Sequence, residues 1–438
     1  MQSQGVEMGR GKPEARMNQE RIAMPEDLME KAVSPDNWEA ALYAVERNNG
    51  APGPDGMKAH ELKAHLAVHG EVIKRRLLEG RYQPSAARRK EIPKRTGGTR
   101  PLSVPNVQDR FVAQLLLGVL QPIYEPRFSE YSYGFRPGRS AQQAVQTVKG
   151  YAQEGYTWVV DMDITKFFDR VNHDILMSRL GREIRDKRVL RIIGRFLRVG
   201  VVMPEGLLVR SEEGTPQGGP LSPLLANIYL DALDKELEKR GLRFARYADD
   251  CNIYVGSEAA AKRVLANLTA WIERHLRLQV SASKSGTGRP WERKFLGFIL
   301  TVALLISIAP ASLTRFEDKV RELWDGRQSL SSTHLRNQWR SYVQGWWGYY
   351  QLCEDRTAIF NKEGWIRRHI RKCFWLRWHG AKGRESALRR LGLPARRAET
   401  GRSSRGAWRM ARHPAIQEAL NNRLLKRYNF VMPSDLAR

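Results

Sequence analysis

The sequence predicts an α+β fold joined to a strongly basic, all-helical region. Three observations carry this. Apolar strand-like runs alternate with helix-period segments between residues 80 and 308. After Pro310 the apolar spacing is helical throughout. Carboxylates interrupt two of the strand-like runs, at Asp161/Asp163 and at Asp249-Asp250. A carboxylate buried in a sheet is unfavourable unless a cation answers it.

A chain of 438 residues is too long for one ordinary core, so several domains are expected. Hydrophobic residues at 42% and 12 Trp indicate a folded chain. The net charge of +27 calls for a polyanionic partner, nucleic acid ahead of an anionic membrane surface. Residues 310–438 hold 27 Lys and Arg against 11 Asp and Glu, together with eight of the Trp. Cations interleaved with aromatic rings suit phosphate contact and base stacking, although many of these rings are expected to form a helical core. Three cysteines without a CxxC pair support neither a disulfide framework nor a zinc site, and a reducing cytoplasm fits. The N-terminus lacks an apolar signal core. Phe295 to Ala309 is shorter than the ~20 residues of a membrane span, so it reads as two adjacent buried strands.

In chain order, residues 1–24 lack periodicity and are expected to be disordered. Helical spacing starts near Pro25 and stops at the Gly/Pro/Asn loop Asn48 to Gly56. A second helix is expected over Ala59–Glu79. Arg88 to Leu102 reads as two strands about a Gly97-Gly98 turn, with Lys94 and Arg100 near the tip. Cations there could clamp a triphosphate, or simply decorate an exposed hairpin. Helices follow over Val107–Leu120 and Ala141–Tyr151, the latter capped by Ser140.

Trp158 to Asp163 begins as a strand that sets Asp161 and Asp163 on one face, and Asn172–Leu180 is helical. The loop Gly214 to Pro223 leads into an amphipathic helix, Leu224–Arg240. Phe244 to Val255 then reads as strand, tight turn, strand, with Asp249-Asp250 at the tip. Alone, that pair could be a solvated surface turn. A helix over Ala259–Leu276 follows. Beyond Pro310, helices are expected at Leu313–Leu323, Ser332–Tyr350, Arg356–Trp378 and Ala415–Lys426, with loops at Gly383 and Arg402–Arg405.

Two separated acidic sites can converge on two cations ~3.5–4 Å apart, which would align an attacking hydroxyl with departing pyrophosphate. Magnesium suits such a site, because it takes few carboxylates and shares substrate phosphates. The set of motifs points to nucleotidyl transfer, a chemistry of positioning and charge neutralisation.

In their order, the motifs resemble reverse transcriptases, and among them the group II intron-encoded reverse transcriptase/maturases, over roughly residues 38–430. Asn48 to Gly56 resembles that family's N-terminal lid, and Ile92-Pro93-Lys94 with Arg100-Pro101-Leu102 its fingers hairpin. Tyr133 to Pro137 is similar to the second fingers motif. Asp163 to Asp169 and Tyr247 to Asp250 resemble the two catalytic palm motifs, and Pro216-Gln217-Gly218 the loop beside the incoming nucleotide. Ser283-Lys284-Ser285 and Phe295 to Phe298 resemble the last palm motifs. Gly345 to Tyr350 resembles the maturase thumb, Trp365 to Arg371 the segment after it, and Ala407 onward the basic ending of class C intron proteins.

The resemblance implies right-hand polymerase fingers over residues 25–157, palm over 158–308, helical thumb over 309–380 and a basic nucleic-acid-binding region over 381–438. It implies that Asp163 and Asp249 bind two Mg2+ ions, with Asp250 completing the acidic centre and Ile164 lending a backbone carbonyl. Asp161 falls to structure on the family pattern, though spacing alone leaves it open. Lys94 and Arg100 would hold the triphosphate, Phe168 would exclude a 2′-hydroxyl, Gln217 would line the pocket, and Lys284 could donate a proton to pyrophosphate. Arg136, Trp346, Arg367, Arg368 and Arg371 would meet nucleic acid, while His369 packs in a helix or faces RNA.

Implied partners are intron RNA, an RNA template, a DNA primer or target and deoxynucleoside triphosphates. No His- and Cys-rich endonuclease segment is present, so self-sufficient DNA cleavage is not expected. A free-standing reverse transcriptase and a non-catalytic splicing factor are the competing readings. The apolar stretch Phe298 to Ala309 departs from the family pattern, which has a polar turn there.

Overall fold

The computed structural model describes residues 26–93, 99–203, 205–209, 213–216 and 218–437. Lys94, Gln217 and the expected N-terminal extension at 1–24 lie outside the described residues. The chain forms two compact units that interleave in sequence. One comprises Met1–Arg127 with Phe168–Tyr229, the other Phe128–Phe167 with Leu230–Arg438.

Ten strands occur among the described residues: β1 (Ala87–Pro93), β2 (Thr99–Val104), β3 (Trp158–Met162), β4 (Val201–Val202), β5 (Leu208–Val209), β6 (Arg243–Tyr247), β7 (Asp250–Val255), β8 (Gly286–Gly288), β9 (Phe298–Leu300) and β10 (Ile306–Ile308).

In the first unit the expected basic hairpin is present, β1 pairing antiparallel with β2 from Arg88↔Val104 to Pro93↔Thr99. The short strands β4 and β5 extend it to a sheet of order β2-β1-β4-β5. Helices Leu28–Ala32, Pro35–Asn48, Leu62–Leu78 and Val107–Tyr124 surround it in sequence. The helical spacing that begins near Pro25 divides at Ser34-Pro35, because proline fits the first turn of a helix and not its interior. The lid-like loop is fastened: Arg110 donates to the Ala51 carbonyl at 2.5 Å and Arg88 to that of Pro52 at 2.7 Å. A helix at Lys187–Leu197 is additional to the expected set. Its buried Val189, Ile192, Ile193 and Leu197 have the spacing of one helix face.

The second unit is built on an antiparallel sheet of order β6-β7-β3-β8. Its central strand β3 pairs with β7 from Trp158↔Val255 to Met162↔Cys251 and with β8 on its other edge. Helices Ala141–Gln153 and Glu258–Leu276 pack against this sheet. The first opens with a capping box in which Ser140 accepts from Gln143 N–H, as its sequence position predicts. Phe295 to Ala309 does contain two adjacent strands, β9 and β10, with exposed Val302 at their turn.

The helical region builds one aromatic core. Fully buried Trp324 and Trp339 lie 5.7 Å apart between ring centroids, and Phe298 of β9 stacks on Tyr349 at 5.4 Å. Three expectations are revised here. Arg356–Trp378 divides into Thr357–Phe360 and Glu363–Arg377. Ala415–Lys426 divides into Pro414–Ala419 and Asn422–Arg427, because Asn421 caps a new helix by accepting from Leu424 N–H. Gly383 lies inside the helix Gly380–Arg390 rather than in a loop; the lack of a Cβ lets that turn sit against the Trp378 carbonyl.

Candidate active site

The acidic hairpin is a two-residue turn. Tyr247 pairs with Asp250, leaving Ala248 and Asp249 as the turn residues, with Ala248 left-handed at φ 57°. Asp249 therefore stands in the turn while Asp250 opens β7, still partly in solvent. Cys251 pairs with Met162 in the neighbouring β3, so Asp163 follows directly on the residue opposite Cys251. The sheet register thus brings Asp163 to the same end as the hairpin turn.

Electrostatics record this convergence. Surrounding protein, then the charges of Asp249, Asp163 and Asp161, push Asp250 up to about 6. Burial, and the neighbouring Asp163 charge, likewise raise Asp161 to about 6 against the opposing pull of Arg293 and Lys294. Carboxylates that hold one another's protons this way gain from a divalent cation. Among the described residues no group of three or more His, Cys, Asp or Glu side chains is placed to hold a metal ion. The carboxylate oxygens of Asp163, Asp249 and Asp250 are hard donors of the type magnesium takes, with waters and substrate phosphates supplying its remaining oxygens.

The turn Ser281–Ser285 fixes Asp163 from the other side. Ser281 N–H donates to the Asp163 carbonyl at 2.9 Å, and the Asp163 N–H donates to Ser285 Oγ at 3.0 Å. The same turn brings Lys284 Nζ to 3.3 Å from Asp163 Oδ1. Ile164 sits in an antiparallel bridge with Val280, whose hydrogen bonds are made by the flanking Thr165, Gln279, Ser281 and Asp163. Its own carbonyl is not spent on that bridge.

In the first unit three of the expected nucleotide-side elements are gathered. The Phe168 carbonyl accepts from Thr215 N–H at 2.7 Å, tying it to the loop that carries Pro216 and Gly218. Gly218, at φ 115°, runs so close to β2 that a Cβ there would be 2.5 Å from the Ser103 carbonyl. Arg100 lies on β2 opposite Ile92.

Of the residues expected to meet nucleic acid, Arg136 and Arg371 are buried, while Trp346, Arg367 and Arg368 are half-buried. Arg136 is buried and donates to the Ser129 and Ser132 carbonyls at 2.5 and 2.8 Å. Arg371 is buried on the Leu420 carbonyl and Asn422. Trp346 packs on Phe316 and Tyr350 at 4.4 and 4.6 Å. Arg367 pairs with Glu363, and Arg368 lies 3.6 Å from the Trp408 ring centroid while donating to the Trp408 carbonyl. These cations satisfy backbone, carboxylate and ring acceptors within the helical region. His369 packs between Trp365 and Trp408, where burial followed by nearby cations lowers it to about 4.

One pair escaped the sequence reading. Arg246 and Asp234 are both fully buried, and the guanidinium grips both carboxylate oxygens at 2.7 and 2.5 Å. Its one signal in the sequence is a cation inside the apolar run of β6.

Residues 92–300 match the family model for reverse transcriptase (RNA-dependent DNA polymerase), and residues 313–392 that for the group II intron, maturase-specific domain. The chain is 42% identical over 195 residues to Protein YkfC of Escherichia coli (strain K12), covering 44% of this chain and 51% of that one. It is 34% identical over 222 residues to the Group II intron-encoded protein LtrA of Lactococcus lactis subsp. cremoris, covering 49% and 35% respectively. With the mitochondrial Nuclear intron maturase 2 of Arabidopsis thaliana it shares 30% over 206 residues, covering 38% and 27%. The chain thus spans about half, or less, of the curated relatives it matches.

Together, the acid-tipped antiparallel sheet and the matching family model define a protein with a reverse transcriptase fold. A match to the maturase-specific domain follows directly, and this pair of matches fits a group II intron reverse transcriptase/maturase.

Proposed function

We propose that this chain is an RNA-directed DNA polymerase that also binds an intron RNA, assists its splicing and serves its retrohoming. The observation that carries the polymerase reading is the sheet register that sets Asp163 beside the Asp249–Asp250 turn, where burial, and then the charges of Asp249 and Asp163, push Asp250 up to about 6. Asp163 and Asp249 hold two Mg2+ ions, with Asp250 and the Ile164 carbonyl completing the donor set. When bound, those ions neutralise phosphate charge and favour the attacking 3′-oxygen. Lys284 supplies a proton on the pyrophosphate side. Phe168 excludes a 2′-hydroxyl, while Arg100, Lys94 and Gln217 hold the nucleoside triphosphate.

The maturase reading is supported by the second family match, and by exposed Arg340, Arg390, Arg396, Arg409, Arg412, Arg423 and Arg427 in the helical region. Backbone phosphates of a folded RNA are the natural counter-charge. No helix among the described residues is long and apolar enough to cross a membrane, and all three cysteines are free. A cytoplasmic site of action fits these properties.

Extension of a DNA primer on an RNA template tests the polymerase reading. Incorporation should require Mg2+ and stop with a chelator. A folded, RNA-binding preparation that incorporates nothing across a Mg2+ titration would overturn it. For the maturase arm, the protein should lower the Mg2+ needed for splicing of its cognate intron RNA.

A further inference from the structure

Arg246 has no solvent exposure, and its charge is answered by Asp234. Replacing such a buried pair with apolar residues is often neutral or even stabilising, so the pair alone does not explain the site. What the guanidinium does beyond Asp234 is more informative. Nη1 donates to the carbonyl of Ala248 at 2.9 Å, and Nη2 also donates to Ser132 Oγ at 2.8 Å. The Ala248 carbonyl belongs to the peptide that leads directly into Asp249.

The backbone around this carbonyl is under constraint. Ala248 adopts φ 57°, a left-handed conformation that is unfavourable by roughly 1–2 kcal/mol for a residue with a Cβ. The segment Tyr131–Gly134 runs beside β6, with Arg246 N–H donating to the Tyr131 carbonyl at 2.9 Å and Tyr133 N–H to the Arg246 carbonyl at 2.8 Å. Gly134 comes so close to the turn that a Cβ would lie 2.3 Å from Ala248 N. The strained peptide is therefore boxed by the Tyr131–Gly134 segment and tethered by a guanidinium that Asp234 and Ser132 hold in place.

We propose that Arg246, oriented by Asp234 and Ser132, is a positioning residue that sets the Ala248–Asp249 turn and hence the direction of the Asp249 carboxylate. The inference rests on the reading of Asp249 as a metal-binding catalytic residue. A planar guanidinium can satisfy a carboxylate, a hydroxyl and a peptide carbonyl in one plane, whereas a lysine ammonium is a single point donor. Arg246→Lys thus keeps the charge facing Asp234 and releases the turn. Ser132→Ala removes one guide and leaves both charges.

The test compares full-length wild type, Arg246→Lys, Ser132→Ala and Asp249→Asn in four measurements. These are single-turnover addition of the first nucleotide, apparent affinity for that nucleotide, Mn2+ binding followed by electron paramagnetic resonance without nucleotide, and thermal unfolding. Arg246→Lys should lose roughly 10- to 100-fold in rate, the scale expected of a reacting group displaced by about 1 Å. Nucleotide affinity should change less than about twofold, Mn2+ affinity should fall several-fold, and the rate loss should exceed any loss of folded fraction. If Arg246→Lys does not fold, Ser132→Ala decides: a several-fold rate loss at unchanged Tm supports the proposal. A wild-type rate and wild-type Mn2+ binding in whichever variant folds, with only Tm lowered, would overturn it. Full activity in Asp249→Asn would instead refute the underlying catalytic reading, while the Mn2+ measurement on Arg246→Lys still reports on the turn.

Discussion

The ammonium of Lys284 stands 3.3 Å from Oδ1 and 3.5 Å from Oδ2 of Asp163, delivered there by a turn that also bonds the Asp163 backbone. Lys284 is itself well exposed, so this ion pair adds little to stability. Its consequence is competition, because a cation on the carboxylate must yield when a metal binds.

Lys284→Met should therefore lower the Mg2+ concentration giving half-maximal extension. If Lys284 also protonates pyrophosphate, the maximal rate should drop about 10²-fold or more. A Mg2+ titration of steady-state primer extension reads both. A raised half-saturating Mg2+ would contradict the competition.

Gly134→Ala should be damaging out of proportion to its size. The added Cβ would meet the Ala248 nitrogen at 2.3 Å, and the strain should destabilise the fold by about 1–3 kcal/mol while displacing the catalytic turn. Gly150→Ala is the control: nothing lies within 4 Å of its Cβ position, and in the helix Ala141–Gln153 it should stabilise by about 0.5–1 kcal/mol. Denaturant unfolding of the two variants checks the contrast.

The acidic turn was legible because a two-residue hairpin constrains its own geometry, whereas its approach to Asp163 depends on the β3–β7 register and was reached only through the resemblance of the ordered motifs. The hairpin β1–β2, the Ser140 cap and the β9–β10 pair were legible because they too are local. The Arg246–Asp234 pair was not, since it joins β6 to the helix Ser222–Lys239 and only tertiary packing reveals it. The internal partners of Arg136 and Arg371 were not legible either, since only tertiary packing brings their donors to the Ser129, Ser132 and Leu420 carbonyls. The helix Lys187–Leu197 carried a readable apolar face, whereas the break at Asn421 depended on a side-chain cap that competes with helix continuation.

His369 should make stability pH-dependent. An unfolded imidazole titrates near 6.5, whereas in the fold burial lowers it to about 4, so the unfolded state binds more protons between these values. The contribution is complete above about 6.5 and is lost as pH falls toward about 4, amounting to at most about 3 kcal/mol. Chemical denaturation across this window should show a shallower pH slope for His369→Gln than for the parent. Equal slopes would contradict the assignment.

Exposed and buried arginines should separate in RNA binding. Neutralising exposed Arg423 and Arg427 should weaken binding and reduce the slope of log affinity against log salt by about 1 for each phosphate the protein no longer neutralises. Arg371→Gln should instead lower Tm with little change in slope, since its donors are spent on Leu420 and Asn422. Salt titrations of RNA affinity beside thermal melts distinguish the two.

The central claim is that Asp163 and Asp249 together hold the metal ions of a template-directed polymerase. Its most direct test is single-nucleotide extension of a DNA primer annealed to RNA by Asp249→Asn, with RNA affinity measured in parallel. Extension should fall by at least about 10³-fold while RNA affinity stays within about twofold of the parent, because the missing carboxylate acts on the metal and reacting phosphate alone. Extension at the parental rate by the folded variant would contradict the account.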